Sequence, residues 1–117
     1  MKAILFNSRH SHPTIDGLEA VFSAEVNPLD FLELDRQAIA FFETHSDKSY
    51  DIYVTGLTPA TVAVIKAAVA TLADLTLWHY DRNSDNYVPQ RVVTSTKMEQ
   101  DMYSYGIDVP VIWHNDL

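Results

Sequence analysis

Two apolar rhythms alternate along this chain, short unbroken runs of strand length and longer stretches with a helical repeat. The run over 3–6 has no polar interruption, which suits a strand covered on both faces of a parallel sheet. A polar turn over 7–12 follows. Pro13 then opens a first helix carrying Ile15, Leu18 and Phe22 at i, i+3 and i+7, although Gly17 weakens it. The stretch 25–31 reads as an edge strand, because Pro28 cannot donate to a central ladder. Asp30 with Glu33 forms a capping-box variant, and Leu32, Ile39 and Phe42 mark one face of a second helix running to about His45.

The run 50–55 is rich in aromatic and β-branched residues and stops at Gly56, so it predicts a strand. Thr58 as N-cap and Pro59 as the first helical residue predict a third helix, with Val62, Ile65, Val69 and Leu72 repeating at i, i+3, i+7 and i+10. Strands over 75–80 and 87–93, joined by the turn-forming residues 81–86, make a hairpin at a sheet edge that tolerates Pro89. Thr96 with Glu99, and Gly106 beyond, bracket a short helix over 97–105, and 107–113 adds a last strand. The alternation implies one α/β domain over 1–117: a Rossmann-like, mainly parallel sheet with helices on both faces and a C-terminal β-hairpin edge.

Composition narrows what such a domain can do. A net charge of −8 repels polyphosphate backbones, so no long nucleic acid is expected as a partner. No window approaches the roughly 20 apolar residues of a bilayer span, and no leader cleavage site follows the opening run, so no membrane partner is expected. The lack of cysteine removes disulfides and thiolate metal sites and fits a reducing, cytoplasmic compartment.

In open parallel sheets, ligands bind beyond the carboxyl ends of the strands, where helix starts present free amides. Two segments meet that description. Asn7, Ser8, Arg9, His10, Ser11 and His12 gather an amide, two hydroxyls, a guanidinium and two imidazoles. Thr55, Gly56, Leu57 and Thr58 form a bend at a helix start, where the Thr58 hydroxyl and nearby amides suit a phosphate, ribose or carboxylate. The same bend is also explained by helix capping alone.

His10 and His12 could share a metal ion, but no third ligand motif accompanies them, so neither metal nor cofactor is expected. Either histidine could instead act as a general acid or base, with Ser8 or Ser11 as hydrogen-bond partner; the other reading is an exposed loop histidine without a chemical role. Trp78 and Tyr80 read as packing or interface residues. Arg82 and Arg91 read as ion-pair partners or anion ligands. Tyr103, Tyr105 and the terminal Val111, Ile112 and Trp113 favour self-association if exposed together.

The opening Ile4-Leu5-Phe6-Asn7-Ser8 with His12-Pro13, followed by Thr55-Gly56-Leu57-Thr58 at a helix start, resembles the small stand-alone CRISPR-associated Rossmann-fold (CARF-like) proteins over around half the chain. The resemblance implies a homodimer that binds a cyclic oligoadenylate in antiviral defence, as sensor, sponge or phosphodiester-cleaving ring nuclease. It implies ligand-facing roles for Asn7, Ser8, Thr55, Gly56 and Thr58. Pro59 departs from the family pattern, which often has a basic residue there, and no effector domain is attached. Three functions therefore stand in order: binding of a small nucleotide-like anion, with His10 or His12 assisting any cleavage; a non-enzymatic acidic adaptor or inhibitor of a protein partner; and a small metal-dependent hydrolase.

Overall fold

A computed structural model of the chain describes residues 1–7 and 12–92. Ser8, Arg9 and His10, and the helix and strand expected over 97–105 and 107–113, lie outside the described residues. The elements run β1 (Lys2–Ile4), β2 (Glu19–Ala20), α1 (Phe31–His45), β3 (Ser49–Tyr53), α2 (Thr58–Ala70), β4 (Asp74–Asp81) and β5 (Asn86–Val92). They build one five-stranded sheet in the order β2-β1-β3-β4-β5. The first four strands are parallel, and β5 returns antiparallel along β4 from Asp81↔Asn86 to Leu75↔Val92. The fold is thus α/β with a mostly parallel sheet and a hairpin at one edge.

Strand alternation divides the core into two parts. Ala3, Leu5, Tyr50, Ile52, Leu75 and Leu77 point to one side, where α1 and α2 lie together and add Leu34, Ala38, Phe41, Phe42, Ala60, Val64 and Ala67 to the same cluster. Ile4 and Tyr53 point to the other side, where Ile15 and Leu18 cover them. The expected placement of helices on both faces is therefore corrected for the described residues.

The reason lies in residues 13–22. Ile15 belongs to one face of the sheet and Phe22 to the other, so no single helix can carry both. Residues 13–17 instead form a turn ahead of β2, in which the Ile15 and Asp16 amides donate to the His12 carbonyl, and Gly17 reverses the chain at φ +79°. Residues 25–30 are likewise turns rather than a strand, and Phe31 already opens α1: the Leu29 amide donates to the Asn27 side chain and the Asp30 amide to the Asn27 carbonyl. The strand beside β1 is Glu19–Ala20.

The two helices begin differently. Asp30 caps α1 by accepting the Glu33 amide at 3.2 Å, as the capping-box spacing predicts. Glu33 does not reach back; its carboxylate takes Arg36 and Gln37 instead. Leu32, expected on the apolar face, points outward at 83% exposure. In α2 the buried face is mostly alanine, Ala60, Ala63, Ala67 and Ala68, with Val64. Small side chains let the helix approach its neighbours closely. The bulkier stripe of Val62, Val69 and Leu72 is left exposed, with Ile65 partly buried.

Candidate functional site

The strand order reverses between β1 and β3, and there the connections after these strands leave toward opposite sides of the sheet. A single side chain fastens this junction. The Thr55 hydroxyl accepts the Phe6 amide at 3.1 Å and donates to the Phe6 carbonyl at 3.1 Å. This continues the β1–β3 ladder one step past its last backbone bond, in which the Leu5 amide donates to the Tyr53 carbonyl. Asn7 and the bend at Gly56 are thereby held at the same end of the sheet. Thr55 spends its proton on the scaffold, so its contribution is to hold the two segments together.

Past Thr55 the chain turns at Gly56, whose φ of +133° is closed to residues with a side chain even though an added Cβ would meet no atom within 4 Å. The turn falls one residue earlier than the capping reading assumes. Leu57 occupies the N-cap position with no side-chain hydrogen bond, and Thr58 and Pro59 are the first two helical residues. The expected Thr58 cap is therefore corrected: Thr58 is exposed and already inside the helix. Pro59 has no amide, and Ala60 is wholly buried. The donors open to a ligand at this helix start are those of exposed Gly56, Leu57 and Thr58.

His12 goes elsewhere. Its Nδ1 accepts the Thr14 amide at 3.1 Å, which fixes the proton on Nε2 for donation to the Asp85 carbonyl at 3.1 Å. The ring stands edge-on to Tyr80 and Tyr87, with centroids 6.0 and 5.4 Å away. Both tyrosines belong to β4 and β5, and Tyr87 packs with Ile4 and Ile15 on the face opposite the helices. His12 thus ties the first loop to the hairpin tip, with both ring nitrogens engaged. It does not meet the start of α2.

Carboxylates dominate the hairpin tip. Asp81 accepts the Asn83 amide and the Ser84 hydroxyl, and Asp85 accepts the Tyr80 hydroxyl at 2.6 Å. That bond holds the Tyr80 phenol above its ordinary pKa. An anion is therefore disfavoured beside the Asp81 and Asp85 carboxylates. Among the described residues, no three histidine or acidic side chains converge on a metal-sized space.

The face opposite the helices carries an aromatic group that extends the packing role read for Trp78 to Tyr53 and Tyr87. Tyr53 stacks on Trp78 at 5.6 Å and meets Tyr87 edge-on at 5.1 Å, while the Trp78 indole donates to Asp51 at 2.9 Å. Burial raises the pKa of both tyrosines. Its signal was the alternation of Asp51 with Tyr53 and of Trp78 with Tyr80, which puts these side chains on one face. A broad, open cleft lies at the far end of the sheet, between the last turns of α1 and α2, and is lined by Glu43, Asp47, Lys48 and Asp74 among others. Three carboxylates against one ammonium make it a poor anion site, so size alone does not nominate it.

No helix among the described residues is long and apolar enough to cross a membrane. No protein-family model, curated protein or solved structure matches the chain.

Proposed function

We propose that this chain is a Rossmann-like domain that binds a small nucleotide-like anion where the β1 and β3 connections diverge. The observation that carries this reading is the Thr55 hydroxyl bridging the Phe6 backbone, beside an α2 start that no side chain caps. Free amides at a helix start favour negative charge, by about 0.3–1 kcal/mol for an exposed group, and several convergent donors add to that. Asn7, Gly56, Leu57 and Thr58 are the described residues assigned to the ligand, with Ser8 and Arg9 from the adjoining loop. The family resemblance suggests a cyclic oligoadenylate bound by a homodimer, acting in antiviral defence. Calorimetric titration with cyclic oligoadenylates and common mononucleotides tests it: saturable heat from one of them is expected, and a flat response to all would end the proposal.

Catalysis is a separate claim within this reading. With both ring nitrogens of His12 engaged, His10 is the better candidate for proton transfer in phosphodiester cleavage. Loss of turnover in His10→Ala, with His12→Ala retaining it, is the expected pattern. Equal turnover in the double variant would remove the enzymatic version.

The adaptor reading also has a specific observation in its favour. Leu29, Phe31 and Leu32, at 71%, 59% and 83% exposure, cluster at the start of α1 in an acidic chain. Apolar side chains grouped this way suit a protein partner with a basic rim. Partner capture abolished by Leu32→Asp, with ligand titration still flat, would favour this reading over the first.

A further inference from the structure

The outer flank of α2 carries an apolar stripe that the described residues cover only in part. Val62, Val69 and Leu72 are 48%, 45% and 77% exposed, and Ile65 lies between them on the same flank. Helical rotation sets Val62, Ile65 and Val69 opposite Ala63 and Ala67, which face the core shared with α1, and Leu72 follows just past the end of the helix. Exposed apolar residues scattered singly are ordinary, but Val62 and Val69 share one flank of α2, with part-buried Ile65 between them and exposed Leu72 just beyond the helix.

Leu72 adds a second observation. The Ala73 amide donates to the Ala68 carbonyl and the Leu72 amide to the Val69 carbonyl, the paired bonds of a Schellman stop. That stop puts Leu72 in the left-handed region at φ +58°, where glycine is the usual residue. A leucine there is strained as well as exposed, at the edge of the cleft between the last turns of the two helices.

We propose that residues 93–117 of this same chain cover the stripe. The path supports it. β5 ends at Val92, which pairs with Leu75, three residues after Leu72, so the chain leaves the sheet at the foot of the stripe and on the α2 side of the strand order. Adjacent strands lie about 5 Å apart and three residues span at most about 10 Å, so the exit is within reach of Leu72. The four residues 93–96 can bridge about 13 Å more. The sequence over 97–105 reads as a helix between a capping box and Gly106, with Met98, Met102 and Tyr105 at i, i+4 and i+7. Nine helical residues extend about 14 Å, matching the roughly 15 Å from Val62 to Leu72. Methionines suit such a seat because they adapt to an irregular, shallow surface.

Hydrogen exchange on the full-length chain tests the assignment. Slow exchange over 97–105 is expected, with at least a tenfold loss of protection in Val69→Asp and in Leu72→Asp while the β1, β3 and β4 amides keep theirs. Leu72→Asp keeps the test usable if Val69→Asp disturbs α2, since Leu72 lies beyond the helix. Fast exchange over 97–105 in the parent chain, or protection unchanged by both substitutions, overturns the proposal. So does a dimer that dissociates in Leu72→Asp with 97–105 exchange unaltered, since a second copy would then be the occupant.

Discussion

Thr55, Gly56 and His45 illustrate how single residues settle local geometry here. Replacing Thr55 by valine keeps the shape and removes both bonds to Phe6, leaving a part-buried amide and carbonyl unsatisfied. A loss of about 1–3 kcal/mol is expected, with Thr55→Ser recovering most of it, as measured by urea denaturation. Gly56→Ala meets no steric neighbour, so its whole cost is backbone strain, about 1–3 kcal/mol. A smaller effect on stability would mean that the bend is not held at its positive φ in solution. His45 is a different case. Its Nδ1 faces the Phe41 carbonyl at 2.8 Å and its Nε2 the Glu19 carboxylate at 2.9 Å, two acceptors that only the doubly protonated ring can satisfy. The Phe41 carbonyl is the larger cause of its raised pKa, helped by Glu19 and Asp47. Because the folded pKa is raised above 6.5, the stability it contributes is complete below that value and is lost as pH rises through the folded pKa. Thermal unfolding across about pH 5–9 is expected to show this decline in the parent chain and a flatter profile in His45→Gln.

At the scale of elements, what could be read from the chain depended on whether one residue property decided the outcome. β1, β3, β4, β5 and both described helices follow from apolar runs, a capping aspartate and a turn-rich hairpin, features that act over a few residues. The segment 13–22 misled because Ile15, Leu18 and Phe22 keep a helical spacing while serving opposite faces of the sheet, a division that only the folded β1 imposes. In α2 the periodic large residues marked the outer flank, because alanines were already sufficient to fill the space beneath it. The bend at Gly56 was legible from glycine and proline, but its register was not: Leu57 stands where a capping hydroxyl was expected. The contrast at the two helix starts is measurable. Asp30→Ala is expected to cost about 1 kcal/mol through the lost Glu33 amide bond, whereas Thr58→Ala, which removes no cap, is expected to leave stability within about 0.5 kcal/mol. Comparable losses in the two variants would restore Thr58 as a cap. Glu33 extends the same argument to acid. Arg36 and Gln37 hold its carboxyl down to about 2, so its contribution to α1 is present above the ordinary carboxyl pKa of 4.5 and is lost as pH falls through the folded value.

At the scale of the whole molecule, the sheet separates three kinds of surface. Among the described residues, two helices close one face, an aromatic and acidic group shares the other with a short turn, and the strand-order reversal leaves exposed Asn7, Gly56, Leu57 and Thr58 at one end of the sheet. A net charge of −8 gives the molecule no general attraction for phosphate, so the proposed anion depends on local donors such as the amides at the start of α2. Amide NMR on the full chain tests that point most directly. Saturable shifts of the Gly56, Leu57 and Thr58 amides on addition of a cyclic oligoadenylate or a mononucleotide, with the hairpin-tip amides of Asn83 and Asp85 unmoved, are the predicted result. Binding that leaves those three amides in place, or no shift from any ligand of the panel, would contradict the account.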